Sequence, residues 1–482
     1  MRLLADRPRV LRYVLFAVAV TGATAAVRCA KHERRRTTKH ESGHRTVTAP
    51  VPTPVGQVQR TSIHFKFREG QVHAFGLGEQ ELFSKPHGDT RDFWMRVDVP
   101  SFATTSDVLA RLQRDPAVEQ AFVAPEISLP RVPVVPRAGE DDGPSCPITT
   151  PSYEKYQGYL GPAPQGIDAP SMWGHEIRGK GIWFADVEGG WNAKHEDLPG
   201  DRITHVFGER IEERTWRQHG TAVLGEVVGR DNGKGVVGIA PDVERVFTSS
   251  IGGTDVADAL DAAAEQLRAG DVMLIELQGV GPRGRYLPVE FWDDCYDAIK
   301  AATDRGVVVI EAAGNGAEDL DHKAYKGKFD RWNRDSGAIM VGAGGPARDG
   351  FEDRTRLDFS NYGSRVDVQG WGRKVATLDY GDLQRCDDAD GDRRYADRHY
   401  TDEFSGTSSA SPIVAGAAVL LESYAKQERA TIPPMQLRLL LRATGSPQTG
   451  DLRQQIGPRP DLAKAVEAIE QSPKVRALLE FE

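Results

Sequence analysis

Four short segments of this chain carry residues suited to nucleophilic catalysis. The most informative is Gly406-Thr407-Ser408-Ser409-Ala410-Ser411-Pro412, between an aspartate-rich loop and the small-residue apolar run 413–421. The pattern predicts that Ser408 opens a helix, with Pro412 in its first turn. A serine there has an exposed hydroxyl, next to orphan backbone N–H groups and a positive dipole end that stabilise a developing anion. An ordinary Ser/Thr cap before a packed helix would look the same locally. Upstream, residues 181–186 read as a buried strand ending on the carboxylate of Asp186, and His219-Gly220-Thr221 opens a second small-residue run. Between them and Ser408, the strand-like run 307–310 leads into Gly314-Asn315-Gly316. Asp186 could be a strand-end turn residue, His219 a neighbour of a helix cap, and Asn315 a left-handed turn residue. All four together, in the order Asp, His, Asn, Ser, are harder to explain as turns and caps.

The elements that must hold these residues follow from periodicity. From about residue 152, near-continuous apolar strands (181–187, 272–277, 307–312, 339–343) alternate with helical runs (257–268, 291–305). Such strands are buried on both faces, which predicts an α/β fold with a mostly parallel sheet covered by helices. Residues 433–443 read as an amphipathic helix. With these four motifs in place, the chain resembles the subtilisin-like serine proteases, over roughly residues 150–470. The resemblance implies a doubly wound subtilisin-like domain and an aspartate–histidine–serine order of catalytic residues.

On that resemblance Ser408 is the nucleophile and His219 its general base and then acid. Asp186 orients the imidazole and stabilises the imidazolium. Asn315 is the side-chain donor to the oxyanion, beside the Ser408 N–H. Ser409 and Ser411 compete as nucleophiles, but the family places the catalytic serine directly after Gly-Thr. His195, in Asn192-Ala193-Lys194-His195-Glu196-Asp197-Leu198, reads as structural, and His205 as a surface residue. Leu277, Gln278 and Gly279 align with the strand that pairs with substrate backbone. The loop at 359–363 reads as scaffold, and Trp371 and Tyr380 as core. One departure stands out: after Asp186 the chain reads Val187-Glu188-Gly189, so a second carboxylate, Glu188, lies close by, able to raise the histidine pKa or shape a subsite.

The N-terminal third has a different character. Residues 1–27 combine Arg2, Arg7, Arg9 and Arg12 with a short apolar stretch and Ala23-Thr24-Ala25, the pattern of a signal peptide or membrane anchor. Lys31 and Arg34-Arg35-Arg36 follow at once, and charges there can retain a segment in the membrane. The expected localisation is therefore secreted or cell-envelope, with a membrane-anchored form open. Residues 28–60 form a basic, Pro/Thr-rich linker. Residues 61–128 form a small α+β unit that resembles a subtilase propeptide, with an unrelated accessory domain as the alternative. Residues 129–150 are a proline-rich processing linker expected to hold the maturation site. Residues 151–470 are the catalytic domain, and 471–482 a C-terminal tail. If the propeptide reading holds, the partners are polypeptide substrates and the chain's own propeptide, as intramolecular chaperone and inhibitor.

The net charge of −9 gives no case for nucleic acid as a partner. Cys146, Cys295 and Cys386 lie clear of the leader, so one pair could form a disulfide and leave one thiol over. No cofactor is expected. Asp388, Asp390 and Asp392 around Gly391 partly echo a calcium loop, with a solvated acidic loop as the other reading. The function expected is that of an exported serine endopeptidase made as a zymogen. The alternatives are a catalytically silent peptide-binding module, or an acyl transferase or peptide cyclase using the same site.

Overall fold

The computed structural model describes residues 61–68, 82–83, 94–99, 102–132, 146–386, 393–471 and 480–481. The leader, the basic linker and the calcium candidates Asp388, Asp390 and Asp392 lie outside them. Among the described residues no helix is long and apolar enough to cross a membrane, and no group of three or more His, Cys, Asp or Glu could hold a metal ion.

The N-terminal unit is an antiparallel sheet in the order β2-β3-β1-β4, formed by β1 (Thr61–Phe67), β2 (Leu82–Phe83), β3 (Trp94–Val99) and β4 (Val118–Val123). Helix α1 (Phe102–Arg114) packs on it through Val108 and Leu112, which meet Ile63, Phe65 and Val97 in a small core. A short strand, β5 (Ile127–Ser128), leaves this unit and enters the main body.

After the short helix α2 (Ala169–Trp173), strands β6 (Trp183–Glu188) and β7 (Ile203–Phe207) precede helix α3 (Arg214–Val228). Then follow β8 (Arg245–Ser250), helix α4 (Val256–Ala264), β9 (Val272–Ile275) and the hairpin of β10 (Gln278–Val280) and β11 (Tyr286–Pro288). Helix α5 (Asp293–Asp304), β12 (Val308–Ala312), β13 (Ile339–Gly344) and β14 (Val368–Trp371) complete the main sheet. Its order is β14-β13-β12-β9-β6-β8-β7, and every pairing is parallel.

Alternation along each strand divides the interior in two. Phe184, Val272 and Leu274 join one core, while Ala185, Val187, Met273 and Ile275 join the other. The first core also holds the apolar faces of α3 and of α6 (Thr407–Gln427); the second holds those of α4 and α5. Strands β15 (Val375–Leu378) and β16 (Tyr400–Phe404) form a ribbon before α6, and α7 (Pro434–Thr444) and α8 (Leu462–Gln471) close the chain. Pro412 falls in the second turn of α6, not the first: it is the sixth helical residue, so the Ser408 carbonyl loses the donor it would otherwise have four residues on. Cys146 and Cys386 form a disulfide, and Cys295 is a buried free thiol.

Candidate active site

The candidate residues gather at the carboxyl ends of the central parallel strands, where open α/β sheets build their sites. Glu188 ends β6, residues 276–278 follow β9, and Asn315 follows β12. Ser408 is the second residue of α6 and is wholly buried. What buries it is the chain's own linker. The Pro130 carbonyl accepts from Ser408 N at 3.2 Å and from Ser408 Oγ at 2.8 Å. On one side of this contact, Ser128 and Ile127 of β5 pair antiparallel with Gln278 and Gly279 of β10. On the other side, Arg131 bridges to Gly406 and Val132 N donates to the Ser405 carbonyl at 3.0 Å. The segment thus crosses the cleft as an added strand, one of the standard ways of holding an extended peptide. Gly406 permits it: with φ +137°, a Cβ there would lie 2.3 Å from the Pro130 oxygen.

The oxyanion side is ordered by amide chemistry. Asn315 Oδ1 accepts from Thr407 N at 2.9 Å and from Thr407 Oγ1 at 3.0 Å, which fixes the flip and leaves Nδ2 a buried donor without a partner among the described residues. Gln278 ties this loop to the strand in the cleft: its Oε1 accepts from Asn315 N at 2.8 Å, and its Nε2 donates to the Leu129 carbonyl at 2.9 Å and Ser128 Oγ at 3.2 Å. Asn361 braces the same loop, with Oδ1 accepting from Gly316 N and Glu318 N and Nδ2 donating to the Ala313 and Tyr286 carbonyls. Of the three aligned substrate-strand residues, Gln278 and Gly279 pair with the linker, whereas the Leu277 side chain is buried in the second core. The competing serines are occupied elsewhere. Ser409 Oγ donates to the Trp371 carbonyl, and Ser411 Oγ to Glu276 Oε1 and the Thr407 carbonyl.

His219 sits in α3 with its ring edge-on to Phe404. A Cβ on the following residue, Gly220, would lie 2.4 Å from the Gly190 carbonyl, so glycine lets α3 close against the loop after β6. The carboxylate at His219 Nδ1 is Glu188, through Oε2 at 3.0 Å, and not Asp186. This corrects the sequence expectation. β6 runs two residues beyond Asp186, and Val187 turns into the opposite core, so positions 186 and 188 share a face. The longer side chain at the strand end reaches the ring, while Asp186 Oδ2 accepts from Trp191 Nε1 at 2.7 Å. Burial pushes His219 well below its ordinary value, and the Arg131 charge pushes the same way. His219 Nε2 has no hydrogen-bond partner among the described residues.

Sequence reasoning missed Glu188 as the ring's partner, although "carboxylate at the strand end" identifies it once the strand is extended by two residues. His195 is structural in its contacts: buried, Nε2 on the His399 carbonyl at 2.8 Å and Nδ1 accepting from Asp197 N at 3.3 Å. His205 is half-buried rather than a free surface residue, held by Thr248 Oγ1 and the Gly208 carbonyl. Trp371 and Tyr380 are buried or packed against the first core.

A sequence profile of the Subtilase family matches residues 190–457. The chain belongs to the subtilase family. Subtilases are serine peptidases and therefore hydrolases. The match starts two residues after Glu188. It is 27% identical over 284 residues to the major intracellular serine protease of Bacillus subtilis, covering 55% of this chain and 76% of that protein. It is 28% identical over 284 residues to subtilisin BL of Lederbergia lenta, covering 58% and 89%. Among solved structures it is similar to fervidolysin from Fervidobacterium pennivorans, a keratinolytic enzyme related to subtilisin, with a TM-score of 0.57 and 19% identity. That likeness spans 86% of this chain and 62% of fervidolysin, and it shows the subtilisin-like fold.

Proposed function

We propose that this subtilase is a serine endopeptidase made as a zymogen that first cleaves its own Pro130–Arg131 bond. Glu188, His219 and Ser408 form the triad, with Asn315 at the oxyanion. The observation that carries this reading is the Pro130 carbonyl resting on Ser408 N and Oγ, with paired strand on both sides. In the uncut chain Ser408 Oγ donates to that carbonyl oxygen. Attack requires the hydroxyl to swing to His219 Nε2, which takes its proton as Oγ bonds to the Pro130 carbon. Negative charge then develops on the Pro130 oxygen, next to Ser408 N and the open Asn315 Nδ2 donor. The imidazolium, buried and disfavoured by Arg131, is stabilised by Glu188. It returns its proton to the Arg131 amine as the C–N bond breaks, and water later releases the Pro130 acyl group.

The N-terminal unit then acts as inhibitor, its β5 remaining in the cleft. Charged contacts help hold it to the catalytic domain. His64 Nδ1 meets Asp294 Oδ2 at 2.6 Å and His64 Nε2 lies 3.4 Å from Asp255, while Lys66 and Trp94 Nε1 both reach Asp297. Arg96 adds a contact to Asp255 at 3.1 Å. We infer export from the leader-like residues 1–27, and the Cys146–Cys386 disulfide is in keeping with an oxidising compartment. Both cysteines lie on the catalytic side of the Pro130–Arg131 bond. N-terminal sequencing of the refolded, self-processed chain tests the reading: a new terminus at Arg131 supports it, and an intact chain contradicts it.

A further inference from the structure

Asp186 is left without a task once Glu188 takes the histidine, yet it stays charged-group chemistry in the most buried part of the site. Asp186 and Glu188 stand two residues apart on one face of β6, both with no exposed surface. Each has one oxygen committed: Asp186 Oδ2 to Trp191 Nε1, and Glu188 Oε2 to His219 Nδ1. The other two, Asp186 Oδ1 and Glu188 Oε1, have no hydrogen-bond partner among the described residues. The two carboxyl groups perturb each other, and beyond burial the Asp186 charge helps push Glu188 up. Two buried carboxyls side by side on one strand face, each with a bare oxygen, resist being ionised together.

The surroundings give no compensating cation at the pair. From the segment after β9 comes Glu276, itself pushed well up by burial. From α3 comes His219, from the linker Arg131, and from the loop after β15 Tyr380, whose hydroxyl feels Glu188. Among the described residues no lysine or arginine forms an ion pair with either carboxyl. Resting on the reading of Glu188 as the triad carboxylate, we propose that Asp186 is a positioning residue: a single proton bridges Asp186 Oδ1 and Glu188 Oε1. That proton fixes the back oxygen of Glu188, so that Oε2 stays on His219, and it leaves the pair with one negative charge. When His219 becomes an imidazolium, the charge settles on Glu188 and the proton on Asp186; on return to imidazole the proton is shared again. No proton is gained or lost by the pair in a turnover.

Burial supports this, raising Asp186 to about 7 against the pull of Trp191 and Glu188, and pushing Glu188 well above its ordinary value. As pH falls the pair takes up its second proton and His219 loses its anion, so the acid limb of self-cleavage belongs to the pair as a unit. The test follows self-cleavage of the refolded full-length chain by intact mass, from pH 5 to 10. Asp186→Asn keeps a donor to Glu188 and should stay within about tenfold of wild type at pH 8, with its acid limb moved down. Asp186→Leu leaves Glu188 Oε1 bare and should lose about 30-fold or more. Trp191→Phe, which spares both carboxyls, should move the acid limb up, because Asp186 loses the donor that favours its anion. An infrared difference spectrum of wild type minus Asp186→Asn, both carrying Ser408→Ala, should show one protonated carboxyl band.

If Asp186→Asn is as slow as Asp186→Leu, or the limb ignores Trp191→Phe, or no such band appears, the bridging proton is overturned. Glu188→Gln keeps the two ideas apart. Should it cleave like wild type, the triad reading itself has failed. Should it be inactive while Asp186→Asn matches Asp186→Leu, the triad stands and only the bridging proton falls.

Discussion

Replacing Glu188 by Gln removes one negative charge from a wholly buried contact and changes little else in shape. Glu188 Oε2 lies 3.0 Å from His219 Nδ1, and neither side chain has exposed surface. In the step that forms the imidazolium, a unit charge appears in a site where burial and Arg131 already oppose it. At about 4 Å and an effective dielectric of about 20, the lost attraction is about 4 kcal/mol, close to a 10³-fold loss in rate. A glutamine that offers its amide nitrogen to the ring also selects the wrong tautomer, and serine proteases that lose their triad carboxylate charge drop by about 10⁴. The expected outcome is therefore a slowing of 10³–10⁴-fold, on the order set by these two effects. Self-cleavage of refolded chain is read by intact mass, with the thermal transition and the Cys146–Cys386 disulfide as folding controls. A folded Glu188→Gln chain that cleaves within about tenfold of wild type would refute the assignment.

Asn315→Ala removes the open Nδ2 donor and should slow cleavage by about 10²–10³, a magnitude taken from the corresponding change in subtilisin, a relative; an unchanged rate in single-turnover mass analysis would remove Asn315 from the site. Gln278→Ala breaks the bonds to the Leu129 carbonyl and Asn315 N and should cost about 5–30-fold, the loss appearing in self-cleavage without a change in thermal stability above about 1 kcal/mol. For the N-terminal unit, burial alone would lower His64, but Asp255 and Asp294 outweigh it and raise it to about 10. Its contribution to holding the unit is full below the ordinary 6.5 and is lost as pH rises through about 10. After processing, the two pieces should co-elute on size exclusion from pH 6.5 to 9 and separate above about 10, and His64→Ala should weaken the complex at least about tenfold at pH 7.

The parallel sheet was legible because its strands are apolar on both faces, and residues 307–312 and 339–343 appear within a residue or two of β12 and β13. The places of Ser408 and Asn315 were legible because Gly406-Thr407 precedes Ser408 at the start of α6 and glycines flank Asn315 just after β12. The partner of His219 was not, and the error is one of register. Val187 is apolar whichever way the strand is cut, so composition does not say whether the strand ends on Asp186 or on Glu188; only the two opposed cores decide it. The occupant of the cleft was hidden for another reason. Pro130 offers no N–H to a ladder and reads as linker, and its place on Ser408 arises from pairings far away in sequence, Ile127 with Gly279 and Arg131 with Gly406. His205 was misplaced because Trp191, which packs over it, lies in a loop whose path no local pattern fixes.

The central claim is that Ser408 cuts the bond lying on it. Intact mass and N-terminal sequencing of the full-length chain, refolded beside Ser408→Ala, test it most directly. The account predicts that wild type alone yields a new chain starting at Arg131 and a released N-terminal piece ending at Pro130, while Ser408→Ala folds and stays whole. A Ser408→Ala chain cut at Pro130–Arg131 like wild type, or a wild-type chain cut only at another bond, would contradict it.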